Sequence, residues 1–248
     1  MDQITPFFLA AKPGEIFKMR LCVGGNIAVL AGCLVYLALQ AGPSGVTWPA
    51  VLAALLVGYF LADFASGVVH WGLDTWFDDA SLGRAVAIAR EHHTHPQHIL
   101  GYGFLEHAAL GSFPSLLVIG PAALATALSP AGPASYCLMI VWALISGCLL
   151  FGTSFHNLGH RPAKSRAILL LQRLRLVVTP NYHWVHHRSD QVVRYCVING
   201  WANYPCDKLR VWRGMEWVVR VVTGARPRFD DHAWQRQFRE TGRLVAPK

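Results

Sequence analysis

Eight histidines of this chain fall into four clusters: His70; His92 with His93; His156 with His160; and His183 with His186 and His187. A neutral imidazole offers a lone pair that binds zinc, copper, iron or nickel. His156 and His160 stand four apart, so on a helix both project from one face, one turn apart. His183, His186 and His187 have the i, i+3, i+4 spacing and share a face in the same way. His92 and His93 are adjacent and diverge by about 100° on a helix, so they can serve two different metals. Eight imidazoles are too many for one ion and suit two, with four nitrogens each. A zinc hydrolase takes three protein ligands and a general base, as in H-E-x-x-H, and that motif is absent. Two irons, each keeping a position for oxygen, fit the count better. Singly, each histidine has a plainer reading; His70 alone would serve as a helix C-terminal cap. Three imidazoles on one face are costly to desolvate without a purpose. Four clusters together point to a metal cage whose eight histidines are at once metal-binding and catalytic.

Every cluster lies at or just past the end of a long apolar segment, and these segments must position it. The 248 residues carry only 15% charged side chains, against roughly 25% in soluble domains, and the mean hydropathy is +0.33. A bilayer core needs about 20 apolar residues in a helix. Four segments qualify: about Leu21–Leu39, Trp48–Trp71, Ala108–Leu128 with Pro114 and Pro121 expected to bend it, and Tyr136–Phe155. The linkers Gln40–Thr47 and Ser129–Ser135 are short and uncharged. The expected fold is therefore an all-α membrane protein with four transmembrane helices and a cytoplasmic helical cap carrying a His-lined di-metal site. Its segments are residues 1–20, the membrane region 21–160 and the cap 161–248.

Charge sets the expected orientation. Lys12, Lys18 and Arg20 precede the first span, Arg84 and Arg90 lie between the second and third, and residues 161–248 hold 17 Lys and Arg against 6 Asp and Glu. The positive-inside rule places both termini and the middle loop in the cytoplasm, with all four histidine clusters on that side. Beside membrane spans, such a basic block indicates anionic lipid rather than nucleic acid. Ile168–Val178 and Lys208–Thr223 are amphipathic and read as helices on the membrane surface, or as cap helices packed on each other; Gly224 is a natural stop for the second. The six cysteines form no CxxC pair and read as core residues in a reducing setting. No cleavable signal peptide is evident. The Ala, Arg and Val content and compact loops suggest a bacterial inner membrane rather than endoplasmic reticulum.

Several polar residues sit near the cage. Asp63 lies inside the second span, seven residues before His70 on the same helical face; a carboxylate at that depth is a functional candidate, accepting a histidine N–H or supporting the metals, or else an ion pair between spans. Asp74, one turn after His70, fits either part. Glu91 and Asn157 each neighbour a candidate ligand. His95 and His98 are candidate outer partners, which metal-bound imidazoles need.

The motifs are specific. FLADFASGVVHWGLDTW (Phe60–Trp76), REHHTHP (Arg90–Pro96), GTSFHNLGH (Gly152–His160) and PNYHWVHH (Pro180–His187), followed by Tyr195–Arg213 and Thr223–Trp234, resemble in order the motifs of the plasmanylethanolamine desaturase family, membrane histidine-box di-iron enzymes with a lipid desaturase domain. The resemblance covers about residues 58–234. It assigns the family's eight histidines to the eight named above and leaves His95, His98, His107 and His232 off the motif. It implies two iron ions, O2 as co-substrate, and an ether phospholipid substrate that gains a vinyl ether double bond. It also implies an external cytochrome b5-like or ferredoxin-like electron donor, since no haem or flavin motif is present. The alternatives are an acyl-lipid desaturase or hydroxylase using the same site, or a metal transporter without chemistry. The sequence leaves the oligomeric state open.

Overall fold

The computed structural model describes residues 11–77, 82–188 and 192–227; His232 lies outside them. Among the described residues there are helices and turns and no strand. Four helices are long and apolar enough to cross a membrane: α1 (Pro13–Gln40), α2 (Trp48–Thr75), α4 (Phe104–Leu128) and α5 (Pro133–Leu150). The chain is a multi-pass membrane protein. Proline occupies the first turn of α1, α2 and α5, where its missing N–H costs nothing. α1 and α2 both pack on α5, and so does α4.

The ends of these helices differ from the sequence expectation in instructive ways. α1 begins at Pro13 and so takes in Lys18 and Arg20. α5 stops at Leu150 and the chain turns at Phe151 before α6 (Gly152–His160), so the fourth span does not run on to Phe155. The middle loop contains α3 (Arg84–Thr94) and a 3-10 turn, His98–Gly101. α4 passes through a π-helical stretch, Ser115–Ile119, directly after Pro114; proline removes a ladder hydrogen bond, and a wider turn accommodates the loss. Beyond the bundle lie α7 (Arg166–Arg173), α8 (Pro180–Arg188), α9 (Asn203–Lys208) and α10 (Val211–Thr223). The second amphipathic stretch is α10, which starts at Val211 just after Arg210 at φ +53°; Lys208, the stretch's first residue, ends α9. Gly224 ends α10 at φ +73°, its N–H bonded to the Arg220 carbonyl.

Two devices hold the spans together without a hydrophobic drive between them. Asn26 of α1 is fully buried, donates to Ser112 Oγ at 3.2 Å and the Ser146 carbonyl at 3.3 Å, and accepts from Ser115 and Ser146 hydroxyls at 2.7 and 2.6 Å. Its amide ties α1 to α4 and α5, the kind of glue that lipid favours. Gly111 of α4 lies against the Leu149 carbonyl, where an added Cβ would meet the oxygen at 2.1 Å; only glycine permits that approach.

The C-terminal end of α2, α3, the start of α4, the end of α5 and α6 thereby meet at one end of the bundle. α8 packs on α6 there. The segment 192–202 is fixed to α2 by buried side chains. Asp63 Oδ1 accepts the N–H groups of Ile198, Asn199 and Gly200 at 3.0, 3.0 and 3.1 Å, and its Oδ2 that of Ala202 at 3.0 Å. Ser66 Oγ accepts from Val197 N at 3.1 Å, and Asn203 exchanges two 2.8 Å bonds with Cys196. Asp63→Ala would strand four buried N–H donors, at about 1–3 kcal/mol each. The expected result is a large fall in thermal unfolding temperature in detergent, with Asp63→Asn, which keeps one acceptor oxygen, intermediate.

Candidate metal centre

The eight histidines converge. They form two groups, each with its candidate ligand atoms within 4.8 Å of one another: His92, His156, His160, His183 and His187 in one, and His70, Asp74, His93 and His186 in the other. The division is five imidazoles against three imidazoles and a carboxylate, not four and four. His92 and His93 fall in different groups. The groups share a wall: the rings of His70 and His156 lie 5.1 Å apart, and those of His186 and His187 5.4 Å.

Local sequence explains the aim of each side chain. Pro180 opens α8, whose 3.6-residue period brings His183, His186 and His187 to the cage. Gly159 lets α6 and α8 touch, since a Cβ there would meet His183 Cβ at 2.9 Å. The turn at Phe151 re-aims α6, so that His156 and His160 face α8 rather than continuing the line of α5. Gln97 donates to the His160 carbonyl at 2.7 Å and holds the end of α6.

In the first group, the Nε2 atoms of His156, His160 and His183 form a closed triangle with sides of 2.8, 3.0 and 3.1 Å, and His187 Nε2 is 3.1 Å from that of His183. Each ring nitrogen of a neutral imidazole is either a donor or an acceptor. In a triangle at least two must be alike, so hydrogen bonding cannot satisfy all three sides. A cation accepting every lone pair can. With metal–nitrogen bonds of about 2.1 Å, ligands at right angles stand about 3.0 Å apart. His92 is buried, and neither of its ring nitrogens has a hydrogen-bond partner.

The second group makes the same point through its tautomers. His70 Nδ1–H donates to the Tyr195 carbonyl at 3.0 Å, and His186 Nδ1–H to the Val193 carbonyl at 2.7 Å. A neutral ring so committed has a bare Nε2. Those atoms and His93 Nε2 lie 3.4, 3.6 and 3.6 Å from Asp74 Oδ2. The bare Nε2 atoms of His70 and His186 facing a carboxylate oxygen at that distance are an arrangement that positive charge between them relieves, and His93 Nε2 stands 3.2 Å from that of His186. The residues fit a pair of metal ions.

Burial and the neighbouring imidazoles push His92, His93, His156, His183 and His186 well below the ordinary histidine range, His160 to about 3 and His187 to about 2. The cage is neutral and ready to ligate at physiological pH. Below about 6.5, where free histidine protonates, the unfolded chain binds protons that the folded cage refuses. Stability of the metal-free protein therefore falls with pH from about 6.5 down to the depressed folded values. Thermal unfolding of chelated protein between pH 7 and 5 checks this; bound metal should raise the whole profile and leave its slope unchanged, because the folded cage takes up no proton in that range with or without it.

The other candidates sit differently. Asp63, expected to accept a ligand N–H or support the metals, instead holds backbone, as described above. The residues it holds, 198–202, follow in sequence the Val193 and Tyr195 carbonyls bonded to His186 and His70. Asn157 Nδ2 is directed at His107 Nδ1, 3.5 Å away. His95 stacks beside His98, centroids 4.7 Å apart; His98 Nδ1–H donates to Glu91 at 2.9 Å, and the Tyr102 hydroxyl donates to the other oxygen of this fully buried carboxylate. The carbonyls of Val193 and Tyr195, and Gln97, were missed, because a backbone acceptor leaves no mark in composition or spacing.

Beside the cage is an apolar cavity. It touches His70 of one group and His92 and His156 of the other, and Val69, Leu73, Ile88, Leu110, Leu149 and Val197 are among its walls. The two hydroxyls on it are engaged, Ser66 with the Asp63 carbonyl at 2.7 Å and Thr153 with the His107 carbonyl at 3.2 Å. A hydrocarbon chain lying there would meet carbon, two hydroxyls already bonded elsewhere and the edge of the metal cage.

Residues 59–230 match the lipid desaturase domain. The chain belongs to the lipid desaturase domain family. It is a desaturase, an oxidoreductase. It is 30% identical over 239 residues to plasmanylethanolamine desaturase 1 of Mus musculus, covering 92% of this chain and 85% of that one. It is 34% identical over 220 residues to plasmanylethanolamine desaturase of Myxococcus xanthus, covering 87% and 76%. Fatty acid desaturase 4, chloroplastic, of Arabidopsis thaliana matches at 30% over 177 residues, 69% of this desaturase and 52% of the plant chain. No solved structure matches.

Proposed function

We propose that this desaturase introduces a vinyl ether double bond into the alkyl chain of an ether phospholipid, converting a plasmanyl to a plasmenyl lipid. The observation that carries the reading is the apolar cavity touching histidines of both metal groups. The ether-lipid substrate is favoured over an acyl lipid because the plasmanylethanolamine desaturases match 92% and 87% of the chain, the plant fatty acid desaturase 69%.

Two iron ions are the metals proposed. His92, His156, His160, His183 and His187 would hold one, and His70, Asp74, His93 and His186 the other. The Nε2 separations of 2.8–3.1 Å in the first group suit right-angled ligand pairs better than a tetrahedral zinc site, where about 3.4 Å is expected. When bound, the irons supply activation of O2, which with two electrons and two protons takes two chain hydrogens and leaves as two waters. The chain's own part is positioning and exclusion. Val69, Leu73, Leu110 and Leu149 hold the alkyl segment against the cage and keep water from it. The Val193 and Tyr195 carbonyls fix His186 and His70 in the ligating tautomer.

The cage stands at one end of the bundle rather than at the midplane expected of a transporter. By the positive-inside rule that end faces the cytoplasm, with both termini on that side; the membrane we propose is a bacterial inner membrane, on the Ala, Arg and Val content and compact loops. α10 presents Trp217, Val218, Val221 and Val222 exposed beside Arg213 and Arg220, and lies in the membrane interface. The electrons come from a separate cytochrome b5-like or ferredoxin-like protein. The test is expression in a host that makes ether lipids but no plasmalogens, followed by lipid mass spectrometry. Acid-labile vinyl ether phospholipid is the expected product; an acyl double bond or a hydroxylated chain in its place would overturn the substrate or the reaction.

A further inference from the structure

The cavity beside the cage is lined by two glycines with opposite surroundings. A Cβ at Gly111 would collide with the Leu149 carbonyl at 2.1 Å, so that glycine serves the α4–α5 contact. A Cβ at Gly152 would meet nothing within 4 Å, although Gly152 is a wall residue of the cavity. Helix packing gives no reason for a glycine there. Nor does backbone conformation, because Gly152 is the first residue of α6 and is absent from the positive-φ glycines. A side chain at 152 has open space before it, one helical turn from His156, whose ring borders the same cavity.

We propose that Gly152 is a specificity-determining residue: its missing side chain leaves room for the part of the lipid chain beyond the carbons being desaturated, and so sets the length of chain accepted. This rests on the lipid-chain reading of the cavity given above. Several observations place the distal chain, not the headgroup, in this space. Apart from the three histidines the lining carries no charged group, and both of its hydroxyls already have partners. A phosphate put there would trade its hydration for apolar wall, with no unengaged hydroxyl, amide, lysine or arginine to replace the lost water. The headgroup must therefore lie outside, and a chain reaching from it past the cage continues into the cavity. Leu110, on α4, is the wall residue best suited to act in the opposite sense, since shortening it enlarges the same space.

The experiment compares wild type, Gly152→Ala, Gly152→Leu and Leu110→Ala on ether lipids with long and short alkyl chains, scored as the ratio of desaturated product from the two. Metal content and thermal unfolding are measured on the same purified samples. Gly152→Leu should lower the long-to-short product ratio at least tenfold, Gly152→Ala less, and Leu110→Ala should raise it, all with wild-type metal content. Equal loss on both lengths, an unchanged ratio, or loss of metal in both Gly152 variants would overturn the assignment. The ratio can be scored on whatever unsaturated lipid the wild type makes. A wild type yielding acyl alkenes would thus refute the ether-lipid reading, and the shift in ratio on those lipids would still decide the role of Gly152; a wild type with no lipid product would overturn both.

Discussion

His183→Ala should abolish turnover and empty the first metal position. Its Nε2 is the hub of that group, within 3.1 Å of the Nε2 atoms of His156, His160 and His187, and the side chain is 1% exposed. Loss of an outer partner of a metal ligand costs roughly 10–100-fold; removal of a ligand at the centre of a group should exceed that. Elemental analysis of purified protein should find about one iron per chain in place of two, and lipid mass spectrometry should find no product above background. His156→Ala should behave alike. His232→Ala, off the motif, should be nearly silent. Full activity in His183→Ala or His156→Ala would break the cage assignment.

Much of this site was legible because its signals are carried by side chains at helical periods. The spacings 156/160 and 183/186/187 and the adjacency 92/93 describe the faces that the helices present, and the apolar lengths place four spans close to their observed ends, except that α1 starts at Pro13 rather than Leu21. What was illegible depends on contacts distant in sequence. Asp63 has the depth and helical face of a metal partner, and nothing nearby in sequence says that its acceptors are taken by N–H groups of residues 198–202. The carbonyls that orient His70 and His186 belong to Tyr195 and Val193 and would exist whatever side chains stood there. The turn at Phe151 has no proline to announce it inside an apolar run. The equal division of imidazoles was the simplest one; in the structure His183 and His187 of α8 join both histidines of α6 and His92 in one group, and Asp74 of α2 stands with His70, His93 and His186 in the other.

That carboxylate makes the second large prediction. Asp74→Ala should lose the second iron while keeping the first, with turnover below detection. Were Asp74 only an acceptor for imidazole N–H groups, the rings around it would have to donate through Nε2. His70 and His186 cannot do so in their neutral form, because each spends its single N–H at Nδ1 on a backbone carbonyl. Lone pairs from both rings therefore face Asp74 Oδ2 at 3.4 and 3.6 Å, a repulsive arrangement that a divalent cation converts into ligation. The charge balance points the same way. Five neutral imidazoles leave the first ion's charge whole, and Asp74 supplies the one anionic ligand atom in either group. Asp74→Asn keeps an oxygen of nearly the same reach but removes the charge. It should retain the second iron weakly, so that metal content falls towards one per chain on dialysis against a mild chelator and is partly restored by excess ferrous iron. Asp63→Asn is the matched control, a buried carboxylate of the same helix: it should lower the unfolding temperature and leave two irons bound. Retention of two tightly held irons in Asp74→Ala would show that three imidazoles suffice, and would return Asp74 to the role of a partner for the ligands rather than one of them.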